Sequence, residues 1–399
     1  MSVETYKTKE GPRHRVRWRE GGRPRSRSFA SKRKANDFDI DVKSKKQHGD
    51  ALPATGRDTL AAVYAEWWRL RHRRLSKHTQ ESYQRHWNAH IKGRWDNYKL
   101  REFVASPQLF DELIADMDDR GVGPASQRKV FVVLSAVFST AVKWKRVGIN
   151  PVLSASKPAS SPKHLPRPFA PLVIERVRLQ MQRRKTKEDS TIRGQSDAVF
   201  VELMAYAGLR PGEALALTWL DVDARNLRIE KSVALGEVKE KTKTGGVREP
   251  PLVAPLAADL KTLHVARGEP SKDELILPAP GGGPWSHSQY NNWRGRVWRP
   301  VMKNLAECDP PQPELATARP YDCRGTFVSL HLDAYESPVQ IAAWAGHSTK
   351  VMYEHYAGVI ENRSREPIPI EQQIEQARKD VLELERAELD KMMAELLAA

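Results

Sequence analysis

The chain has 399 residues and carries 66 Lys plus Arg against 50 Asp plus Glu, so its formal net charge is +16. This length exceeds a single small module and is typical of two to three domains, and so large a positive charge indicates a polyanionic partner such as nucleic acid. No apolar run approaches the ~20 residues of a membrane span, and the two cysteines, Cys308 and Cys323, exclude a disulfide framework and a thiolate zinc site.

The first 50 residues are the most basic part of the chain, because 15 Lys or Arg and 7 Asp or Glu give them half of the net charge. Arginines recur at alternate positions before and after Gly21 and Gly22, a pattern that predicts a β-hairpin. Successive strand side chains point to opposite faces, so we expect the arginines to share one face while Val16 and Trp18 pack on the other. The arginines expected to contact DNA are Arg15, Arg17, Arg19, Arg23, Arg25 and Arg27.

A helix is expected to cover the apolar face of this hairpin. Ser31 is a candidate N-cap, and Ala35, Phe38 and Val42 follow at the spacing of an apolar helical stripe. A small sheet of this kind fits the major groove of DNA, and arginine suits both phosphate and guanine. The segment 1–50 is therefore interpreted as a basic DNA-binding domain of a small β-sheet plus a helix, with a solvated basic tail as the alternative.

Residues 57–152 show the period of amphipathic helices and predict an all-α domain. Three apolar stripes support this prediction: Leu60, Val63, Tyr64 and Trp67; Tyr83, Trp87 and Ile91; and Val130, Val133, Leu134, Val137, Phe138, Ala141 and Trp144. Basic residues on the opposite faces, such as Arg69 and Lys143, suit phosphate contacts but equally suit ordinary solvated charge. Between residues 153 and 171 the chain is rich in proline and serine, which predicts an extended linker.

A mixed α+β domain is predicted over residues 172–366. We expect helices at 172–184 and 196–207, strands near 227–235 and 247–252, and mainly helices thereafter. Residues 367–399 are predicted to form one long amphipathic C-terminal helix with Ile374, Ala377, Val381, Leu384, Met392 and Leu396 near helical spacing. This helix can dock on its own domain or on a neighbouring subunit, and the sequence favours neither.

Two segments of the mixed domain place a basic residue at a turn. In GLRPGEALAL, Gly208 closes one helix and Pro211 opens another, which leaves Arg210 at their junction, free to reach a ligand. In KEKTKTGGVREPPL, Lys243 lies beside the turn of a predicted β-hairpin. Each motif taken alone is also typical of a solvated surface side chain.

Two later segments add further polar side chains. In PYDCRGTF, Tyr321 and Arg324 are three residues apart and so adjacent on one helical face. In AGHSTKVMYEHYAG, His347 follows a glycine turn and Tyr356 comes nine residues later.

The order of these motifs, GLRPGEALAL, TKTGG, YDCRGTF, AGHS and YEHYAG, resembles the tyrosine recombinase family, specifically the phage-type integrases, along the whole chain in outline. The resemblance implies an arm-type DNA-binding domain at 1–50, a helical core-binding domain at 57–152 and a catalytic domain at 172–366. The catalytic residues that it implies are Arg210, Lys243, Tyr321, Arg324, His347 and Tyr356.

The resemblance also assigns a role to each cationic residue. Arg210 and Arg324 become the two arginines that clamp the phosphate, and Glu213 resembles a supporting acid in the first motif. Lys243 becomes the mobile hairpin lysine, which is the natural donor of a proton to the leaving oxygen.

Tyr356 is the nucleophile that the resemblance implies, and its spacing from His347 favours it over the competing Tyr353. His347 is then placed to accept a proton or to bond to phosphate. The family usually has histidine at the position of Tyr321, and a phenol, with a reference pKa near 10, is a poor base at neutral pH. Either Tyr321 only positions the phosphate, or His347 carries more of the base catalysis.

The activity implied is site-specific DNA recombination through a covalent 3′-phosphotyrosine, without metal or nucleotide cofactor. The implied partners are double-stranded DNA attachment sites, three further copies in a homotetramer, a host DNA-bending protein and an excision directionality factor, in the service of a phage or other mobile element. The basic N-terminus lacks the apolar stretch of a signal peptide, so we expect the protein in the bacterial cytosol, on DNA. The rival interpretations are a catalytically silent DNA-binding protein of the same fold and a type IB-like topoisomerase.

Overall fold

The computed structural model describes residues 3–8, 11–20, 23–47, 58–159, 168–184, 190–234, 236–239, 246–308, 311–361 and 366–398. The chain divides into two compact units, Met1–Lys163 and His164–Ala399. In the described residues the strands β1–β5 are Val3–Thr8, Gly11–Glu20, Arg23–Phe29, Ser232–Ala234 and Glu237–Lys239. The helices α1–α16 are Lys32–Gln47, Leu60–Arg71, Lys77–His90, Leu100–Ala105, Gln108–Asp119, Pro124–Lys143, Pro171–Gln182, Ser190–Tyr206, Pro211–Ala214, Ala254–Ala266, His287–Trp293, Arg299–Glu307, Cys323–Asp333, Pro338–Ala345, Thr349–Glu361 and Ile370–Ala398. Within those ranges, no helix has both the length and the apolar character needed to cross a membrane.

The N-terminal strands form an antiparallel sheet in the order β1-β2-β3. The predicted hairpin is confirmed as β2 and β3, and β1 adds a third strand that the arginine pattern did not indicate. Helix α1 packs on this sheet, where Val16 and Ala35 are fully buried and the ring of Phe38 lies 5.2 Å from that of Trp18. The prediction of a helix over the apolar face is therefore confirmed.

The prediction that the hairpin arginines all share one face is wrong. The register pairs Val16 with Arg27 and Trp18 with Arg25. Directly paired residues of antiparallel strands point to the same face. Arg25 and Arg27 of β3 therefore lie on the face of Val16 and Trp18, and Arg15 and Arg17 of β2 lie on the other. The register has this effect because it pairs even positions of β2 with odd positions of β3, as in Glu20 with Arg23. The guanidinium of Arg27 accordingly lies 5.4 Å from the ring centroid of Phe38 in α1.

Helices α2–α6 enclose a hydrophobic core of their own within the first unit. The residues of the predicted stripes that are buried are Leu60, Val63, Trp67, Trp87, Ile91, Val130, Val133, Leu134, Val137, Phe138 and Ala141. The other three stripe residues, Tyr64, Tyr83 and Trp144, are partly buried and pack against the same core. The prediction of an all-helical region is therefore confirmed, with α6 contributing the longest buried stripe.

Helix α8 contributes many of the buried residues in the core of the second unit. It begins at Ser190, before the predicted start at residue 196. The strands predicted near 227–235 and 247–252 are mostly isolated bridges in the described residues, such as that between Ile229 and Arg248. Among the described residues of the first region only β4 forms a regular strand, and it pairs with β5, which follows that region. Pro250 and Pro251 explain this difference, because proline has no N–H group to continue a ladder.

The C-terminal helix α16 packs on its own unit, against α7, α10 and α13. Ile374, Ala377 and Val381 are buried there, whereas Leu384 and Met392 further along the helix are exposed. The amphipathic helix is therefore confirmed, and its first half docks within its own chain.

Candidate active site

Arg210, the first of the two predicted catalytic arginines, lies between two helices, as the sequence indicated. Helix α8 ends at Tyr206, and Gly208 then takes a left-handed φ of 65°. A Cβ added at Gly208 would come within 2.6 Å of the ring of Phe327, so this turn requires glycine both for its conformation and for space. Arg210 follows as the N-cap residue of α9, with its side chain 22% exposed.

Glu213 holds Arg210 in place. Its Oε1 accepts a hydrogen bond from Nη1 of Arg210 at 2.8 Å, and its Oε2 accepts the backbone N–H of Arg210 at 2.7 Å. Burial alone would raise the pKa of this carboxyl, but the hydrogen bonds and charge of Arg248 and the charge of Arg210 outweigh burial and lower the pKa. Glu213 is therefore ionised at neutral pH.

Arg324 is the second residue of α13 and is only 2% exposed. Its Nη1 donates to the carbonyl oxygen of Gly208 at 2.5 Å, and its Nη2 donates to that of Ala345. Its Nη1 also lies 4.0 Å from Oε2 of Glu213. Burial lowers the pKa of Arg324 to about 10, and the charge of Arg210 acts in the same direction. The guanidinium stays protonated at pH 7.

His347 follows the glycine turn that ends α14. Gly346 has a left-handed φ of 64°, and the His347 N–H donates to the carbonyl of Ala342 at 3.1 Å. Both ring nitrogens are buried and have no hydrogen-bond partner in the described part of the chain. Burial lowers the pKa of His347 to about 4, and the charges of Arg324 and Arg210 add to this effect. The imidazole is therefore neutral at pH 7, with a lone pair available to a proton or a donor.

Tyr356 lies on α15 with its ring 6.3 Å from the ring of His347, at an interplanar angle of 13°. It is 6% exposed and belongs to a small apolar cluster with Phe327 and Met352. Burial raises the pKa of Tyr356 to about 12, while the nearby charge of Arg324 acts against this rise. The phenol is therefore protonated at neutral pH and lies beside a neutral imidazole and a cation.

The remaining predicted residues differ in their surroundings. Tyr321 lies in a 3₁₀ turn just before α13 and is 46% exposed. Tyr353, the competitor for the nucleophile, is 52% exposed on α15. Lys243 lies outside the described residues.

Arg248 is a residue of this site that the sequence patterns did not single out. Its Nη1 and Nη2 donate to the two carboxylate oxygens of Glu213 at 3.0 and 2.5 Å, and its Nε donates to the carbonyl of Trp344 at 2.7 Å. Arg248 is 8% exposed, whereas the neighbouring Val247 is 54% exposed. This arrangement reverses the usual burial of valine and exposure of arginine, so hydrophobicity gave no signal for it.

The site therefore combines three guanidinium groups with one carboxylate. We call Arg210, Arg248, Arg324 and Glu213 the site cluster. Its surplus of positive charge suits an anionic ligand such as a phosphodiester, which arginine binds through two parallel hydrogen bonds. Among the described residues, no group of three His, Cys, Asp or Glu has a geometry suited to a metal ion.

The predicted DNA-contacting arginines of the N-terminal sheet lie apart from this cluster in sequence. On β2, the guanidinium of Arg15 lies 4.4 Å from the ring centroid of Tyr6, and that of Arg17 lies 3.1 Å from the carboxylate of Glu4. On β3, Arg25 is exposed on the same face as Arg27. The strand positions of Arg19 and Arg23 are described, but their side chains are not.

No protein-family model matches the sequence. The prophage integrase IntR of Escherichia coli strain K12 is 25% identical to this chain over 198 residues, which cover 44% of this chain and 46% of that protein. The chain thus spans less than half the length of this curated relative.

Several solved structures have a similar fold. The integrase of transposon Tn1549, solved in complex with transposon right-end DNA, superposes with a TM-score of 0.60 at 18% identity, covering 75% of this chain and 94% of that chain. A λ integrase dimer bound to a COC′ core site gives 0.55 at 16% identity over 92% and 97% of the two chains. A λ integrase tetramer bound to a Holliday junction gives 0.53 at 16% identity over 86% and 95%. The predicted multidomain integrase fold and the resemblance to phage-type integrases are therefore confirmed.

Proposed function

We propose that this chain is a site-specific tyrosine recombinase, which cleaves and rejoins DNA strands and integrates or excises a phage or other mobile element. The observation that carries the proposal is the convergence of Arg210 and Arg324 beside Glu213, with His347 and Tyr356 next to them. These residues come from four separate segments of the sequence and form one cationic site.

The phosphate of DNA binds first, between Arg210 and Arg324. Each guanidinium has five N–H donors, of which two are used within the described part of the protein: Arg210 donates to Glu213 and to the carbonyl of Gly346, and Arg324 donates to the carbonyls of Gly208 and Ala345. The others are available to the non-bridging phosphate oxygens, on which negative charge increases in the transition state. Tyr321 is exposed beside Arg324 and donates a further hydrogen bond to phosphate in this proposal.

Cleavage then proceeds by attack of the Tyr356 phenol oxygen on phosphorus. A new O–P bond forms, the bond from phosphorus to the 5′ oxygen breaks, and the strand remains attached as a 3′-phosphotyrosine. The phenol proton passes to His347, whose neutral ring lies against Tyr356. The anionic phosphate offsets the charges of the two arginines, so the pKa of His347 rises when DNA is bound and favours this transfer. Lys243 protonates the leaving 5′ oxygen, a role that rests on its place in the sequence.

Resealing reverses these steps with a 5′ hydroxyl from another strand. The bond energy is conserved in the phosphotyrosine, so the proposed reaction needs no nucleotide cofactor. The proposed assembly is a homotetramer on two attachment sites, and a host DNA-bending protein and a directionality factor act with it. The λ integrase tetramer on a Holliday junction supports this assembly by its similar fold.

The proposed division of labour follows the sequence. Residues 1–50 bind arm-type DNA sites, 57–152 bind the core site, 153–171 connect, 172–366 perform catalysis and 367–399 form the C-terminal helix. Arg15 and Arg17 lie on one face of their sheet and Arg25 and Arg27 on the other, so only one of these pairs is expected to contact the DNA. Replacing Arg15 and Arg17 with serine, and separately Arg25 and Arg27, tests this. The slope of log K against log salt should fall by about 0.9 for each phosphate that the variant no longer neutralises, and only for the set on DNA.

The experiment that tests the catalytic proposal is recovery of DNA covalently attached to the full chain expressed in bacteria. Denaturing purification followed by sequencing of the attached ends should give one or a few sequences, joined through a 3′ phosphate to Tyr356. Tyr356→Phe should give none, and Tyr353→Phe on the same helix is the matched control that retains the adduct. No adduct with the wild-type chain would favour a silent DNA-binding protein, and an adduct persisting in Tyr356→Phe would assign the nucleophile elsewhere.

A further inference from the structure

The C-terminal end of α14 receives three guanidinium groups, one on each of three consecutive carbonyl oxygens. Nε of Arg248 donates to Trp344, Nη2 of Arg324 to Ala345 and Nη2 of Arg210 to Gly346. The last carbonyls of a helix have no intrahelical partner and carry partial negative charge, so cationic donors are stabilising there. The next residue in the chain is His347, so the three arginines fix the backbone that carries the imidazole.

Arg248 differs from the other two arginines in how little of it remains for a ligand. It uses all three guanidinium nitrogens within the protein, two on Glu213 and one on Trp344, and its side chain is 7% exposed. A Cβ added at Gly346 would come within 3.1–3.2 Å of its guanidinium and Cδ atoms, so Arg248 fills the space against the glycine turn. Its contacts are those of a support rather than a phosphate ligand.

The backbone of Arg248 is anchored as well. Its N–H donates to the carbonyl of Ile229 at 3.2 Å, and its carbonyl accepts the N–H of Ile229 at 2.9 Å. One side chain thus connects this bridge, the carboxylate beside α9 and the end of α14. These three segments are far apart in sequence and meet through hydrogen bonds of fixed geometry.

We propose that Arg248 is a positioning residue of the recombination reaction, which holds Glu213 and the end of α14 together so that Arg210 and His347 meet the phosphate in reactive geometry. The inference rests on the proposed function for its chemistry. The planar fork of arginine is essential to this role, because lysine keeps the charge but cannot bond to both Glu213 oxygens and to Trp344 at once.

The test compares Arg248→Lys and Arg248→Gln with Arg178→Lys in the full chain. Arg178 is the matched control, because it is also a largely buried arginine hydrogen-bonded to a buried carboxylate, Glu175, but lies in α7, outside the site cluster. Three quantities are measured: the rate of covalent capture of the DNA that the wild-type chain traps, the salt dependence of binding to that DNA, and the titration of His347 by NMR in the free protein.

We expect Arg248→Lys to slow covalent capture about 10²-fold, as a small displacement of reacting groups does, and Arg248→Gln to slow it further. The salt slope should stay unchanged, whereas removal of a phosphate ligand would reduce it by about 0.9. The pKa of His347 should rise by about one unit in both variants, because a loosened turn admits water. Arg178→Lys should change none of the three.

Capture at the wild-type rate by Arg248→Lys, or an unmoved His347 titration in both variants, overturns the inference. A reduced salt slope does so too, because it would make Arg248 a DNA ligand. The NMR arm needs no DNA, so it decides the inference even if the wild-type chain traps nothing and the proposed function fails.

Discussion

The second unit contains two clusters of arginine and carboxylate side chains, one with more arginines than carboxylates and one with more carboxylates than arginines. The site cluster has three arginines around one carboxylate, Glu213. The second, which we call the helix-docking cluster, has two arginines among three carboxylates and holds α16 against α7, α8 and α10. Its members are Arg178, Arg378, Glu175, Glu202 and Asp259.

The two clusters also differ in the protonation of their carboxylates. Burial, with the neighbouring charges of Asp259 and Glu175, raises the pKa of Glu202 well above its usual range, which favours its neutral form and brings the helix-docking cluster closer to charge balance. Arg248 and Arg210 instead keep Glu213 ionised, and the site cluster retains two uncompensated positive charges. A buried surplus of charge costs stability unless a ligand offsets it. The proportion of charges therefore separates the two clusters, because only the site cluster has a positive surplus that an anion would offset.

The largest effects are expected when one carboxylate is replaced in each cluster, which tests whether the clusters differ in charge. We expect Glu213→Gln to lower the free energy of unfolding by about 3–5 kcal/mol, because it leaves two buried guanidinium groups and the partly buried one of Arg210 without a counterion. Glu202→Gln should have a far smaller effect, because burial raises the pKa of Glu202 and favours the neutral acid, which a neutral amide of similar shape resembles. Urea unfolding at pH 7 measures both. Equal losses would show that the two clusters do not differ in charge state.

The motif residues of the site cluster were predictable from the sequence, but its support was not. Arg210 and Arg324 lie in recognisable motifs, so their convergence followed from the family pattern. Arg248 has no such signal, because only the tertiary structure brings it beside Glu213. Hydrophobicity alone predicts that Val247 is buried and Arg248 is exposed, whereas the structure buries Arg248 and exposes Val247.

The fold shows the same limit. Long apolar stripes, such as that of α6, identified helices directly, because 3.6-residue periodicity records burial on one side. The faces of the described arginines in β2 and β3 depend on the register between the two strands, which the alternation within each strand does not determine. The strands predicted near residue 250 ignored the two prolines that interrupt their hydrogen bonds.

Acid should destabilise the region around the site cluster, because a histidine buried there resists protonation in the folded chain. His331 packs between the rings of Phe327 and Trp344, and burial lowers its pKa to about 4. Between pH 6.5 and 4 the unfolded chain binds this proton and the folded chain does not, so stability falls as the pH is lowered through that window. The loss attributable to His331 approaches about 3 kcal/mol at pH 4.

His331→Leu should remove this part of the acid sensitivity, and replacement of the exposed His78 by leucine is the control. Unfolding by urea at pH 7, 5.5 and 4 measures the slope for both variants and the wild-type chain. An unchanged slope in His331→Leu would mean that the acid sensitivity originates elsewhere.

A bound anion should offset positive charge in the site cluster and not in the helix-docking cluster. We expect sulfate to raise the pKa of His347 by about one unit, because it offsets the charges of Arg324 and Arg210 that lower this pKa. His331 is the internal control, since burial alone lowers its pKa. NMR titration of the histidine rings with and without sulfate separates the two, and equal shifts would indicate a general salt effect.

The smallest effect is expected from an exposed ion pair on the docked helix. Arg183 and Glu385 form a bidentate pair between α7 and α16, but the arginine side chain is 58% exposed. Glu385→Ala should therefore cost about 0.5 kcal/mol, the usual value for a surface pair. Arg378→Ala, which removes the arginine from the buried helix-docking cluster, is the contrasting variant. Thermal unfolding measures the stability of both variants. A larger loss of stability in Glu385→Ala than in Arg378→Ala would contradict the assignment of Arg183 and Glu385 as a weak surface pair.

Gly208 sets a narrow limit on how this chain can be altered by mutagenesis. Its positive φ, the nearby ring of Phe327 and the carbonyl bonded to Arg324 combine at one residue. In a saturation library screened for recombination, codons at position 208 should return glycine alone, whereas Gly123, where an added Cβ meets nothing within 4 Å, should accept many replacements. A position without a side chain thus carries as strict a requirement as any arginine beside it.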